Sequence, residues 1–334
     1  MRTINGYTLT QEFTNNNAGM CRWSFADKDG KSFFIKEFLS PKYPDEHIEL
    51  SENTIKHMRR YADEFYNERK RFYDVLRTCR KGNIIAPLDF FRAGSYYYII
   101  TERMNGPFMT MDEISALPDS IKMILLISIS YSMKLIHEKG IVHSDLKPDN
   151  IFITPTQKGH CTAKIIDFDS GFFAAERPDK VVGDQVYMPP ESVLVNAGYE
   201  VPVSEKADVY ALGILFHQYW TGKVPGFDIE KYHYISNVLL DDSETDAPPK
   251  PEISDEIPAA LRTLIDRMIS LYEEDRPSSA EVWEELTRIN SGAAAIPAPK
   301  PAEVAPGPEP VAVAASSAAK KAGNPFRKMS DTNL

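Results

Sequence analysis

The densest chemistry in the chain lies in the run Ile141-Val142-His143-Ser144-Asp145-Leu146-Lys147-Pro148-Asp149-Asn150-Ile151-Phe152-Ile153. A second carboxylate closes an apolar run, in Lys164-Ile165-Ile166-Asp167-Phe168-Asp169. Together these residues hold what phosphoryl transfer uses. Asp145 can orient a hydroxyl group and accept its proton. Lys147 can present a cation to the transferring phosphoryl oxygens. Asn150 and Asp167 are hard oxygen donors suited to magnesium, which takes few protein ligands and completes its shell with phosphate and water. A lone aspartate is usually a solvated or capping residue. A His, an Asp, a Lys-Pro and an Asn at these spacings, followed by an Asp behind an apolar strand, form a joint pattern that chance seldom assembles.

The segments that must position these groups come in two textures. Residues 6–104 carry aromatic and β-branched runs, Tyr7 to Thr14, Met20 to Ala26, Ser32 to Phe38, Leu88 to Ala93 and Tyr96 to Thr101, which read as antiparallel strands. One long charged helical pattern, Ile55 to Arg80, is inserted among them. Residues 105–290 are mainly helical, over Ile121 to Glu138, Glu205 to Thr221, Pro258 to Tyr272 and Ser279 to Ile289. Short strands around Ile151-Phe152-Ile153 and Lys164-Ile165-Ile166 interrupt them. A small sheet with one helix, then a larger helical lobe, predicts an α+β bilobal fold with a cleft between the lobes, where ligands usually sit.

The run around Asp145 resembles the catalytic loop of protein kinases, H-R-D-L-K-P-x-N, and Asp167-Phe168 resembles the start of their D-F-G element. The resemblance covers roughly residues 7–290 and is to the eukaryotic-like Ser/Thr protein kinases. It implies ATP and Mg2+ as cofactors and protein substrates carrying Ser or Thr. It also implies an N-lobe over about 1–104 and a C-lobe over about 105–290. Phe33-Phe34-Ile35-Lys36 is similar to the strand bearing the kinase lysine, which implies that Lys36 contacts the α/β-phosphates. Its helix partner would be Glu68, which Phe72, Val75 and Leu76 follow at core-facing spacings; Glu64, one turn earlier, is the second choice. The link from Lys36 to Glu68 is longer than the family usually shows, so an extra helical turn or inserted helix is expected. Tyr96 to Met104 looks like the strand entering the hinge between lobes. Thr101 would guard the back of the adenine pocket, with backbone groups of Glu102 and Met104 facing the base. Gly183 to Glu191 resembles the segment ending in A-P-E. Ala207 to Gly213 resembles the buried helix that anchors the catalytic loop, with Asp208 accepting backbone N–H bonds. Glu191 is expected to pair with Arg276, of Asp275-Arg276-Pro277-Ser278, as a buried structural ion pair.

The pattern also breaks. Where the family has G-x-G-x-x-G-x-V, the chain has Thr14-Asn15-Asn16-Asn17-Ala18-Gly19-Met20-Cys21, with only Gly19 in place; asparagine tolerates left-handed backbone better than most residues. Phe34 stands where a small residue usually meets the adenine. Asp169 replaces a glycine and Ser144 an arginine; Asp169 could bind magnesium through water or lie solvent-exposed, and exposure is the expectation. Between Gly171 and Pro190 there is no Ser or Thr; Ser170 stands at the start of the loop, Tyr187 reads as packing, and Ser144 offers no cation to a phosphate. This predicts activity without activation-loop phosphorylation. Two other readings compete. His143-Ser144-Asp145 and Ile166-Asp167-Phe168-Asp169 also resemble small-molecule phosphotransferases of the aminoglycoside/choline kinase type, although Lys147-Pro148, Tyr187 to Glu191, Asp208 to Gly213 and Arg276 match protein kinases. A pseudokinase binding module would explain the poor phosphate loop, but it would not need Lys36, Asp145, Asn150 and Asp167 together.

Composition narrows the setting. Of 334 residues, 43% are hydrophobic and 26% charged, which fits a substantial core. A formal charge of −10 argues against a nucleic-acid partner. The three cysteines, Cys21, Cys79 and Cys161, are scattered, which points to a reducing, cytoplasmic compartment. The N-terminus lacks an apolar leader, and Met123 to Met133 reads as a core helix, so no membrane is expected. Residues 291–334 turn to Ala, Pro and Ser and read as a disordered tail that could dock a regulatory partner.

Overall fold

Alternation builds the N-terminal sheet. Strands β3 (Cys21–Lys28) and β4 (Lys31–Phe38) form a hairpin closed by Asp29-Gly30, both in left-handed backbone (φ 51° and 72°). That is the turn geometry an Asp-Gly pair favours. With β1 (Thr3–Ile4), β2 (Tyr7–Leu9), β5 (Asp89–Ala93) and β6 (Tyr96–Glu102), they make a six-stranded antiparallel sheet in the order β1-β2-β3-β4-β6-β5. The register sets Trp23 opposite Lys36, Phe25 opposite Phe34, Lys36 opposite Ile99 and Phe34 opposite Thr101. Because side chains alternate along a strand, all six share one face. Ala26, Ile35, Tyr98 and Ile100 fall on the other face and form a separate small core with Ile4, Tyr7, Leu9 and Phe91.

The computed structural model describes residues 2–16, 21–45, 48–79, 82–156, 159–226 and 251–292. All of these belong to one compact unit, Met1–Ala295; a second, Ile296–Leu334, lies outside the described residues, as do Gly19 and nearly all of the expected tail.

Helix α1 (Glu52–Leu76) follows β4. Ser51 caps it by accepting the Thr54 N–H at 3.2 Å. Its 25 residues span about 37 Å. The first turns are largely exposed, whereas Ala62, Arg69, Phe72, Tyr73 and Leu76 are buried. The long link to Glu68 is therefore taken up in part by extra helical turns at the N-terminal end, which begin earlier than the pattern at Ile55 suggested.

The rest is mainly helical: α2 (Met111–Ser115), α3 (Asp119–His137), α4 (Pro190–Asn196), α5 (Lys206–Thr221), α6 (Ala259–Met268) and α7 (Ser279–Asn290). Helix α3 is long and apolar enough to cross a membrane, yet Leu125, Leu126, Ile129, Met133 and Ile136 are core residues. Helix α5 is buried all round, as a helix with no polar face must be. Four short strands carry the chemistry: β7 (Ile141–Val142), β8 (Ile151–Pro155), β9 (Cys161–Ile165) and β10 (Phe172–Phe173). The β8–β9 ladder pairs Ile151 with Ile165, so Asn150 and Ile166 meet just beyond it, the Ile166 N–H donating to Asn150 O at 2.9 Å. That contact brings Asn150 up to Asp167.

Candidate active site

The loop that carries Asp145 hangs on one buried carboxylate. Asp208, at the start of α5, accepts the His143 N–H (2.7 Å) and His137 Nε2–H (3.0 Å) on Oδ2, and the Ser144 N–H (2.9 Å) on Oδ1. Ser144 is held at φ 74°, a conformation that costs a non-glycine residue on the order of 1–3 kcal/mol unless its surroundings fix it. Asp208 is such a fixture. The buried His143 ring bonds Ile166 O through Nε2 at 2.9 Å and lies 4.6 Å from the Phe168 ring. It thus ties the Asp145 loop to the backbone before Asp167, itself left-handed at φ 61°.

Asp145 sits among donors. Lys147 Nζ lies 3.2 Å from Oδ1 and 2.9 Å from Oδ2, Asn150 Nδ2 donates to Oδ2 at 3.0 Å, and the Asp184 N–H donates to Oδ1 at 3.1 Å. Asn150 Nδ2 also donates to the Asp145 carbonyl at 2.7 Å. The amide nitrogen of Asn150 is thereby committed, which leaves Oδ1 as the oxygen that can face a cation.

Across the cleft, Lys36 meets two carboxylates. Its Nζ is 2.9 and 3.1 Å from the oxygens of Asp167 and 2.7 Å from Asp169 Oδ2, the latter a charge contact without an aligned hydrogen bond. Burial alone would pull the Lys36 ammonium down, but Asp169 and then Asp167 outweigh it and hold it well above the ordinary lysine value. Burial opposes the Asp167 anion too, yet Lys36 keeps its carboxyl below the usual range. Asp169 goes the other way: burial, with Asp167 beside it, lifts its carboxyl.

Two expectations are corrected here. Glu68 does not reach Lys36: its side chain is 56% exposed and pairs with Arg69 at 2.9 Å. Glu64 is likewise exposed and lies 3.6 Å from Arg60. The inward stripe of α1 runs through Ala62, Arg69, Phe72, Tyr73 and Leu76, so Glu68 is turned about 100° from it. The second correction concerns Asp169, whose side chain is only 17% exposed and supplies the acid that the helix does not. Sequence reasoning also missed Arg69. Its signal was its spacing, seven residues after Ala62 and four and seven before Tyr73 and Leu76.

Thr101 is half-buried, opposite Phe34 on the face that carries Lys36; Glu102 and Met104 follow at the strand's exit. Phe34 joins Trp23 (5.6 Å, stacked) and Phe25 (6.2 Å, edge-on) in an aromatic group on that face. Far from this cleft, Arg276 and Glu191 form a bidentate pair at 2.6 and 2.8 Å, with Arg276 fully buried. Its guanidinium also donates to Ser270 O (2.7 Å) and Leu271 O (3.1 Å).

Asn150 Oδ1 and Asp167 suit magnesium: both are hard oxygens, and the Asp167 side chain is 35% exposed. Among the described residues no cluster of three or more His, Cys, Asp or Glu has metal-ligand geometry. A two-ligand site of this kind relies on nucleotide phosphates to complete the shell.

A small antiparallel sheet carrying a buried lysine, over a helical body carrying Asp145, Asn150 and Asp167, defines the class. The family model for the protein kinase domain matches residues 49–286. The chain belongs to the protein kinase family. It is 27% identical over 231 residues to serine/threonine-protein kinase ULK3 of Xenopus laevis, covering 65% of the chain and 48% of the relative. A probable serine/threonine-protein kinase of Clostridium acetobutylicum is 28% identical over 246 residues, 71% of the chain and 35% of the relative. Serine/threonine-protein kinase Pkn1 of Myxococcus xanthus is 28% identical over 212 residues, 62% of the chain and 29% of the relative. The chain thus aligns to less than half the length of each of these relatives.

Proposed function

We propose that the protein transfers the ATP γ-phosphoryl group to Ser or Thr hydroxyls of protein substrates. One observation carries this reading: Asp145 is held within reach of Lys147 and Asn150, and Asp167, on the same helical body, meets Lys36 of the sheet. Asp145 orients the acceptor hydroxyl and takes its proton as the oxygen–phosphorus bond forms and the bond from γ-phosphorus to the β,γ-bridging oxygen breaks. Lys147 stabilises the charge on the transferring group. Lys36 would contact the α/β-phosphates, and Asp167 with Asn150 Oδ1 would hold Mg2+, which would supply charge to neutralise the phosphate oxygens. Thr101 lines the adenine pocket, with Glu102 and Met104 offering backbone groups to the base. The segment after Asp167 is tied to the Asp145 loop by the chain's own groups: Ser144 Oγ donates to Val182 O at 2.6 Å, and the Asp184 N–H donates to Asp145 Oδ1 at 3.1 Å. This supports activity without activation-loop phosphorylation.

The test is radiolabelled ATP with Mg2+ and a generic protein acceptor, comparing wild type with Asp145→Asn. General-base and positioning roles contribute about 10²–10⁴-fold, so the variant should lose transfer on that scale while melting like wild type. Label appearing only on a small acceptor, or nucleotide binding with no transfer, would refute the proposal.

A further inference from the structure

Two acids share the ammonium of Lys36, and they are not equivalent. Asp167 is the more exposed of the two and, on the reading above, turns to the cation when nucleotide binds. Asp169 is nearly enclosed: Lys36 Nζ is 2.7 Å from its Oδ2 and the Tyr73 hydroxyl 3.5 Å from its Oδ1. Once Asp167 is engaged, Asp169 is the counter-ion left to Lys36. No helix acid competes, because Glu68 and Glu64 face solvent.

The helix nevertheless grips this segment, and it does so with a cation. Arg69 Nη1 donates to the carbonyls of Asp169 (3.2 Å) and Gly171 (2.9 Å), with its guanidinium 5.0 Å from the Phe72 ring centre. Phe72 packs so closely on Gly171 that a Cβ there would lie 2.6 Å from its ring. Asp169 thus has its backbone clamped by Arg69 and its carboxylate on Lys36. Lys36 therefore meets two carboxylates, Asp167 and Asp169. Arg69 holds the backbone of that segment and pairs with Glu68 at the exposed rim of α1, so no acid of α1 is placed on Lys36.

We propose that Asp169 is the positioning residue for Lys36 and that Arg69 is the positioning residue for Asp169. Helix α1 then acts on the nucleotide-binding lysine through the relay Arg69–Asp169–Lys36 rather than through a glutamate of its own. This rests on the kinase reading for its consequence in catalysis, but not for its consequence in nucleotide binding.

The experiment is a double-mutant cycle with Asp169→Asn and Arg69→Met, the latter keeping the apolar stem. MgATP affinity is measured by calorimetry, KM and kcat by phosphotransfer, and the fold by thermal melting. Each single variant should lower MgATP affinity and kcat/KM for ATP at least tenfold, mostly through KM. The double variant should be no worse than the poorer single, because contacts in one relay do not add. Arg69→Lys, which keeps one donor, should recover part of the loss. If Asp169→Asn does not fold, Arg69→Met and Arg69→Lys read the same relay from the helix side. Wild-type-like affinity in Asp169→Asn, additive losses in the double variant, or full rescue by excess Mg2+ would each overturn the relay, the last by making Asp169 a metal ligand. Absence of transfer by the wild type would instead defeat the proposed function, while the binding arm still decides the relay.

Discussion

Asp208→Asn is a small change of shape at the point where the most is at stake. Its carboxylate meets donors only: two on Oδ2 and one on Oδ1. In the amide, one oxygen becomes an NH2 that must face either the Ser144 N–H alone or the His143 N–H together with His137. The less damaging choice sacrifices Ser144. That forfeits a hydrogen bond to a charged group, about 1.5–3 kcal/mol, and leaves a buried donor unpaired for about 1–3 kcal/mol more. The sum is roughly 2.5–6 kcal/mol, and it falls on a residue already at φ 74°. For a domain of this size each kcal/mol shifts Tm by about 2–3 °C, so the melting point should drop by roughly 5–18 °C.

The functional loss should be separable from the stability loss. Ser144 precedes Asp145 directly, and a misplacement of about 1 Å costs on the order of 10²-fold in rate. Assayed well below its melting point, Asp208→Asn should therefore show kcat reduced about a hundredfold, with MgATP affinity close to wild type because Lys36 and Asp167 lie on other elements. A variant with unchanged kcat and a Tm within a degree of wild type would refute the role given to Asp208.

Arg276→Met should destabilise the protein by about 3–5 kcal/mol, since it leaves the Glu191 charge buried without its partner. Adding Glu191→Leu should restore much of this; urea midpoints that worsen additively would refute the pairing. His217 supplies a pH test. Its ring is buried, with Nδ1 donating to Lys223 O at 2.7 Å and Nε2 accepting the Ser254 N–H at 3.1 Å. Burial pulls its pKa below the ordinary histidine value, with the Lys223 carbonyl and Glu256 opposing in part. The unfolded chain thus binds this proton first, so the contribution is present above about pH 6.5 and is lost as pH falls through the folded value. The stability gap between wild type and His217→Gln should narrow from pH 8 to pH 5, and a constant gap would exclude the assignment.

How much of this was legible follows from where each signal resides. Asp145, Lys147, Asn150 and Asp167 lie on two short runs, and the β8–β9 ladder joins those runs through strands whose apolar letters are plain. Arg276 and Glu191 were readable only through resemblance, because 85 residues separate them. Gly19 lies outside the described residues. The partner of Lys36 was misread because Glu68 and Arg69 differ by one position, and one position on a helix is a third of a turn. Phe72 and Leu76 follow either residue at helical spacings; only the observed burial of Ala62 and Tyr73 selects Arg69. The exposure expected for Asp169 rested on the habit of aspartate in general. It failed because a buried lysine lacking a helix acid needs an anion close by.

The two departures in the activation segment have one physical cause. An arginine before this aspartate has a use when a charged group must be held; no Ser or Thr lies between Gly171 and Pro190, and the buried Tyr187 hydroxyl donates to Gln218 Oε1 at 2.7 Å. The space is filled by neutral contacts at short range. Ser144 Oγ donates to Val182 O at 2.6 Å, and Gly183 comes so near that a Cβ would stand 2.7 Å from Ser144 O. Asn196 closes the other side, accepting the Val181 N–H at 2.9 Å and donating to Val181 O at 2.8 Å. A larger side chain at Gly183 does not fit this packing. Ser144 and Gly183 thus fit one another, and the segment beside Asp145 is tied down by hydrogen bonds among neutral groups.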